Sequence, residues 1–139
     1  MVPVTSDTWW RDAQEELAVG RFLAAKWPRQ AYHHAGQAVE FALKAIYMRR
    51  KGELPDELKT RRGHDLELVS KLAGLGPDIV QFSKRRACSA NWLVVRDWNS
   101  NARFPGNRIP SQDVKELLTA VGHKPDGIML WLETIYHKS

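Results

Sequence analysis

"AYHHAGQAVEFALKAIYMRRKG", residues 31–52, is the stretch that decides the fold. Rotated by about 100° per residue, its Tyr32, Ala35, Val39, Ala42, Leu43 and Ile46 fall on one face, the spacing of an amphipathic helix. Pro28 is placed to open that helix, where its missing N–H costs nothing. Gly52 is placed to end it, after a basic tail of Arg49, Arg50 and Lys51 that suits the negative end of a helix. The far side holds His33, Gln37, Glu40 and Lys44, but also Phe41 and Met48, which a purely solvated face would not carry. The pattern therefore predicts a core helix with a second packing surface, used for instance as a dimer contact.

Upstream, Ser6 can cap a first helix on which Trp10, Ala13, Leu17, Gly20, Ala24 and Trp27 recur at steps of three and four. Gly20 on that stripe lets a neighbour approach closely. Downstream, "GELPDELKTRRG" (52–63) reads as a surface loop with room for a short turn of helix. A short helix follows from His64 to Ala73. Pro77 and Asp78 start a longer one to about Asn101, with Ile79, Ala87, Ala90, Val94 and Trp98 turned inward. After the irregular "RFPGNRIP", Ser111 caps a last helical region through Val114, Leu117, Leu118 and Val121. Gly122, Pro125 and Gly127 break or kink it before Ile128, Trp131, Leu132 and Ile135. No alternating runs bounded by hairpin turns occur, so the class is all-α, and 139 residues fit one domain over 1–139.

Hydrophobic residues make up 43% and charged residues 27%, an ordinary globular balance. No apolar stretch is long enough for a bilayer and the N-terminus lacks the pattern of a secretory signal, which makes a cytoplasmic location the expectation, with no membrane partner. The single cysteine, Cys88, cannot form an intrachain disulfide and reads as a small buried apolar residue. A net charge of +5 favours polyanions, although charge of this size speaks first to association and solubility. No Gly-rich phosphate loop, zinc spacing or nucleophile elbow is present, so no cofactor and no metal is expected.

Residues 31–52, "GHDLELVSKL" at 63–72 and "ARFPG" at 102–106 resemble, in spacing and order, the HEPN domain family. The resemblance implies a compact antiparallel bundle of about five helices that commonly dimerises, in proteins linked to nucleotides and RNA. Members include metal-independent endoribonuclease toxins, partners of small nucleotidyltransferases in toxin–antitoxin pairs, and defence-system components. Others are binding or scaffold modules without catalytic residues.

The family's ribonucleases carry an Arg, a polar residue and, a few positions on, a His at the end of the fourth helix. Histidine suits the proton that a ribose 2′-hydroxyl must lose, and arginine suits the charge growing on phosphate. Here Arg96 and Asp97 match the first half, but Asn101 stands in the histidine's place, followed by Arg103. Asn exchanges no proton near neutral pH, so this degenerate motif predicts phosphate binding by Arg96 and Arg103 without cleavage. The local alternative is ion pairing by Arg96 and Asp97 with Asn99 and Asn101 as cap residues. Arg29 and His34 offer a displaced match, and His33 or His34 is the histidine a true ribonuclease would recruit.

Arg85, Ser89, Trp92 and Arg96 follow at steps of four, three and four, which places them away from Val94 and Ala90. Such an Arg–Trp–Arg stripe fits either a phosphate-and-base site or a dimer interface. The basic clusters Arg49-Arg50-Lys51, Lys59-Arg61-Arg62 and Lys84-Arg85-Arg86 read first as solvated surface, with nucleic-acid contact the lesser reading for any one, and His64 as a residue that caps or packs at its helix start. Two functions result, beside a blander third, a purely structural assembly subunit. One is a non-catalytic, homodimeric module binding RNA, a nucleotide or a partner such as a nucleotidyltransferase. The other is a metal-independent endoribonuclease with Arg96 and Arg103 on phosphate.

Overall fold

The apolar face of residues 31–46 is buried from every side, and the rest of the chain is arranged around it. The structure is a computed structural model describing residues 4–106 and 108–139, apart from the side chain of Arg103. In chain order it has α1 (Ser6–Leu23), α2 (Pro28–Lys51), 3₁₀ turns at Asp56–Lys59 and Arg61–His64, α3 (Leu66–Leu72) and α4 (Gly76–Phe82). Then come α5 (Arg86–Arg96), a 3₁₀ turn at Ser100–Arg103, α6 (Ser111–Gly122) and α7 (Ile128–Lys138). The described residues form only helices and connections, seven α-helices where about five were expected.

α1 and α2 form a helical hairpin. Thr5, not Ser6, is the N-cap of α1: its hydroxyl accepts from the Thr8 amide at 3.2 Å, and Thr8 answers by accepting from the Thr5 amide. A cap of this kind is worth about 1 kcal/mol. The close approach expected at Gly20 is present, since a methyl group there would lie 3.3 Å from the Ala31 carbonyl oxygen. α3, α6, α7 and the 100–103 turn also pack on α2. Ala35, Ala38, Val39, Ala42, Leu43, Ala45 and Ile46 are fully buried at the centre of the core.

The second surface of α2 is covered by the chain itself. Phe41 meets Trp9 edge-on at 4.9 Å, and Glu40 and Lys44, read from the sequence as far-side residues, are both buried. The expectation of one helix from Pro77 to about Asn101 also needs correction. Helix α4 ends at Phe82, Arg85 is extended (φ −87°, ψ 131°), and α5 starts afresh. The break falls among Lys84, Arg85 and Arg86, all exposed, and it resets the helical phase. A face counted across it from Ile79 therefore mistakes Ala87 and Ala90, which are exposed, for core. The residues of α5 that enter the core are Cys88, Trp92 and Val95.

Trp98 fixes the end of α5 to α2. Its indole lies on Gly36, where an added Cβ would fall 2.0 Å from the ring, and its Nε1 donates to the Tyr32 carbonyl at 3.2 Å. The Asn99 amide donates to the Tyr32 hydroxyl at 3.2 Å. Burial raises the pKa of that phenol above its ordinary 10.0, so it stays protonated at neutral pH, while the Asn99 hydrogen bond pulls it the other way. No helix among the described residues is long and apolar enough to cross a membrane.

Candidate functional site

Pinning Trp98 and Asn99 to α2 leaves an open cleft of about 710 Å³ between the end of α5 and the Arg61–His64 turn. Its walls include Arg61, Arg62 and His64 from the turn, Arg96 at the end of α5 with its C-cap Asp97, and Asn99, Ser100, Asn101 and Phe104 beyond it. Two stretches some thirty-five residues apart in sequence thus meet at one surface.

The Arg61–His64 turn is held in place by Gly63. A side chain there would collide with the Leu58 carbonyl oxygen, 2.1 Å from an ideal Cβ, and would come 3.0 Å from Lys44 Nζ. The turn can therefore settle directly over α2, and it delivers His64 to Glu40. The ring's Nδ1 lies 2.7 Å from Glu40 Oε1, while the other carboxylate oxygen accepts from Lys44 Nζ at 2.8 Å. Lys44 Nζ also sits 5.4 Å from the Trp9 ring centre. The carboxylate side chain is 4% exposed and that of His64 is 32% exposed, so the pair runs from the interior to the cleft wall. The capping role belongs to the next residue, Asp65, whose Oδ1 accepts from the Leu68 amide at 3.1 Å.

The arginines are held loosely. Arg62 reaches Glu57 at 3.3 Å, and Arg96 reaches Asp97 at 3.4 Å and Glu67 at 3.9 Å, each with a partner well exposed to solvent. Exposed pairs of this sort are worth about 0–1 kcal/mol, so an incoming phosphate can replace the carboxylates at little cost. The lining holds three arginines against two aspartates, and Asp65 is occupied as a helix cap. Phe104, 46% exposed, adds an aromatic face to the wall.

Of the residues singled out from the sequence, Arg96, Asp97 and Asn101 line this cleft. The side chain of Arg103 lies outside the described residues. His33 and His34 lie elsewhere: the His34 Nδ1 is 2.5 Å from Glu16 Oε2 between α1 and α2, and the His33 ring stacks 6.2 Å from Trp98. Arg29 points to the Ala102 carbonyl, so it and His34 serve different neighbours.

The Arg85–Trp92–Arg96 stripe is not a surface. Trp92 is 6% exposed and meets Trp131 edge-on at 6.3 Å, so it can neither stack a base nor face a partner. Arg85 stands at the opposite end of α5, about 16 Å from Arg96 along the helix, and pairs with Asp126 at 2.8 Å. Cys88 is buried as expected, and burial pushes its thiol pKa up, away from nucleophilic use.

His64, Glu40, Lys44 and Phe104 are the site features that reading the sequence passed over, while Arg61 and Arg62, read first as solvated surface, line the cleft. The available signal was Glu40 and Lys44, an acid and a base four apart on a helix too apolar to be solvated there. Among the described residues no three His, Cys, Asp or Glu side chains gather as metal ligands. No protein-family model matches the chain, and neither a curated protein nor a solved structure does.

Proposed function

We propose that the protein binds the phosphate backbone of single-stranded RNA in this cleft. One observation carries the reading: Arg61, Arg62 and Arg96, from two distant parts of the chain, line the same cleft as the half-exposed ring of Phe104. Cations that follow a backbone and an aromatic face that stacks a base are the two parts of a sequence-tolerant single-strand site. The resemblance to HEPN domains supports the same ligand class. It also motivates the homodimer and the nucleotidyltransferase or defence-system partner as parts of the proposal.

Fluorescence anisotropy of a labelled uridine-rich oligoribonucleotide tests it. Three phosphate contacts give a slope of about −2 in log affinity against log salt, at roughly 0.7 per contact on single strands. Arg96→Ala should weaken binding and lower the slope by about 0.7. Absence of binding at low salt would refute the reading, whereas binding of a mononucleotide as tight as the oligomer would replace RNA by a nucleotide. Light scattering with and without the oligomer reports the dimer.

A further inference from the structure

The Arg61–His64 turn has a second cavity on its other side, of about 480 Å³, and Arg61 and His64 line both spaces. The walls of this second cavity include Trp9 from α1, Lys44 from α2, and Leu54 and Leu58 from the connection that follows α2. We propose that it receives one base of the strand whose phosphates lie in the cleft, and that Lys44 donates to a carbonyl oxygen of that base. The proposal rests on the cleft being an RNA-binding site. It adds a base preference to a surface whose arginines and Phe104 accept any sequence.

The lining suits a base better than a second phosphate. Trp9, Leu54 and Leu58 are apolar, and a desolvated phosphate among them would lose its hydration without compensation. A flat, neutral ring loses little, and a volume of this size falls in the ordinary range for ligand pockets, roughly 300–1,000 Å³. The Trp9 indole is held by Phe41, which it meets edge-on at 4.9 Å, and by Lys44, whose Nζ lies 5.4 Å from its ring centre. An aromatic wall fixed in this way is the kind of surface on which unpaired bases stack.

Lys44 supplies the polar contact. Its side chain is 7% exposed and its charge is balanced by Glu40 at 2.8 Å, so a second anion would meet that carboxylate as well as the lysine. An ammonium carries three N–H groups, and among the described residues Nζ makes one hydrogen bond, to Glu40. The remaining donors can take a neutral acceptor without disturbing the charge balance, and such a bond is strengthened by the lysine's charge. Both Glu40 oxygens are engaged, by Lys44 and by His64, which keeps the carboxylate behind the lysine.

The two spaces are close enough to serve one strand. Lys44 Nζ lies against the turn itself, 3.0 Å from where a Cβ on Gly63 would fall. A base that passes the exposed Arg61 leaves its phosphate among the arginines of the cleft. Uracil, cytosine and guanine each carry an exocyclic carbonyl oxygen and adenine carries none, so adenine is the base this cavity disfavours.

The test titrates the full chain with labelled uridine and adenosine oligoribonucleotides of equal length, in a chelating buffer, by fluorescence anisotropy. Wild type is expected to hold the uridine oligomer on the order of tenfold tighter, the scale of one charge-assisted hydrogen bond. Leu54→Trp fills the cavity from a position outside the cleft. It should bring the two affinities together and leave unchanged the salt dependence that the arginines set. Near-ultraviolet circular dichroism checks its folding, and a cross-link on wild type decides the matter should it not fold. A thiouridine-substituted oligomer under long-wave ultraviolet light should join the stretch bearing Trp9, Lys44 or Leu54.

Equal wild-type affinities for the two oligomers overturn the proposal and leave the backbone site standing. So does a uridine preference that a folded Leu54→Trp keeps in full, because it then arises in the strand or at Phe104, and so do cross-links confined to the Phe104 side of the cleft. Failure to bind either oligomer overturns the cleft reading on which the proposal rests.

Discussion

Two histidines in this molecule are held alike and sit in different company. His64 and His34 each offer Nδ1 to a glutamate, at 2.7 Å and 2.5 Å, and their side chains are 32% and 28% exposed. His34 bridges α2 to Glu16 of α1, joining the two arms of a hairpin. His64 bridges a 3₁₀ turn to Glu40, which is buried and braced by Lys44, and it borders a cleft with three arginines. The contact is the same in both places; what lies behind the carboxylate and in front of the ring separates a fastening between two helices from a histidine at the wall of the candidate binding cleft.

The largest effect should come from breaking the two pairs at their carboxylates. Glu40→Ala leaves Lys44 charged and buried with its ion-pair partner gone, an effect of about 3–5 kcal/mol. Glu16→Ala removes a hydrogen bond at a more open site, for about 1–3 kcal/mol. Urea unfolding of the two variants side by side measures the gap, and equal losses would erase the distinction between a braced and an unbraced glutamate.

The next prediction concerns the ligand. Arg96→Ala should weaken RNA binding roughly tenfold at moderate salt, the scale of one charge-assisted hydrogen bond. His34→Gln should leave affinity unchanged. Phe104→Ala removes the stacking face and should cost about 1 kcal/mol, the lower end for one base. Anisotropy titrations rank all three.

The smallest effect concerns alkaline pH. Burial raises the Tyr32 and Tyr136 phenols above their ordinary 10.0, aided at Tyr136 by the hydrogen bond it donates to Asp7. The unfolded chain therefore ionises first. Their contribution is fully present below about pH 10 and is lost as pH rises through the higher folded values. Tyr32→Phe, which still packs but cannot ionise, should flatten part of that decline in urea midpoints between neutral and alkaline buffers. It should do so without altering the His34–Glu16 contact.

The helical class was legible because periodicity records burial directly, and α1, α2 and the break between α6 and α7 follow from it. The phase of α5 was not, since it depends on a break at Lys84–Arg86 that carries no proline or glycine. Trp92 was misplaced for that reason alone. Half of the cleft, Arg96 through Asn101, could be found because the resemblance pointed to one contiguous stretch. The other half required knowing that a turn after α2 folds back over it. Gly63 permits that return, but a lone glycine beside "HDL" does not say which residue it lies against. Glu40 and His64 are twenty-four residues apart, and no local spacing rule joins them.

The most direct test observes both histidine rings at once. Imidazole nitrogen and proton resonances of His64 and His34 can be followed while a uridine-rich oligoribonucleotide is added in a chelating buffer, a 2′-O-methylated strand serving to prevent turnover. The His64 ring is expected to shift with the occupancy measured by anisotropy while the His34 ring stays in place. Saturated binding with an unmoved His64, or with His34 moving in its stead, would contradict it.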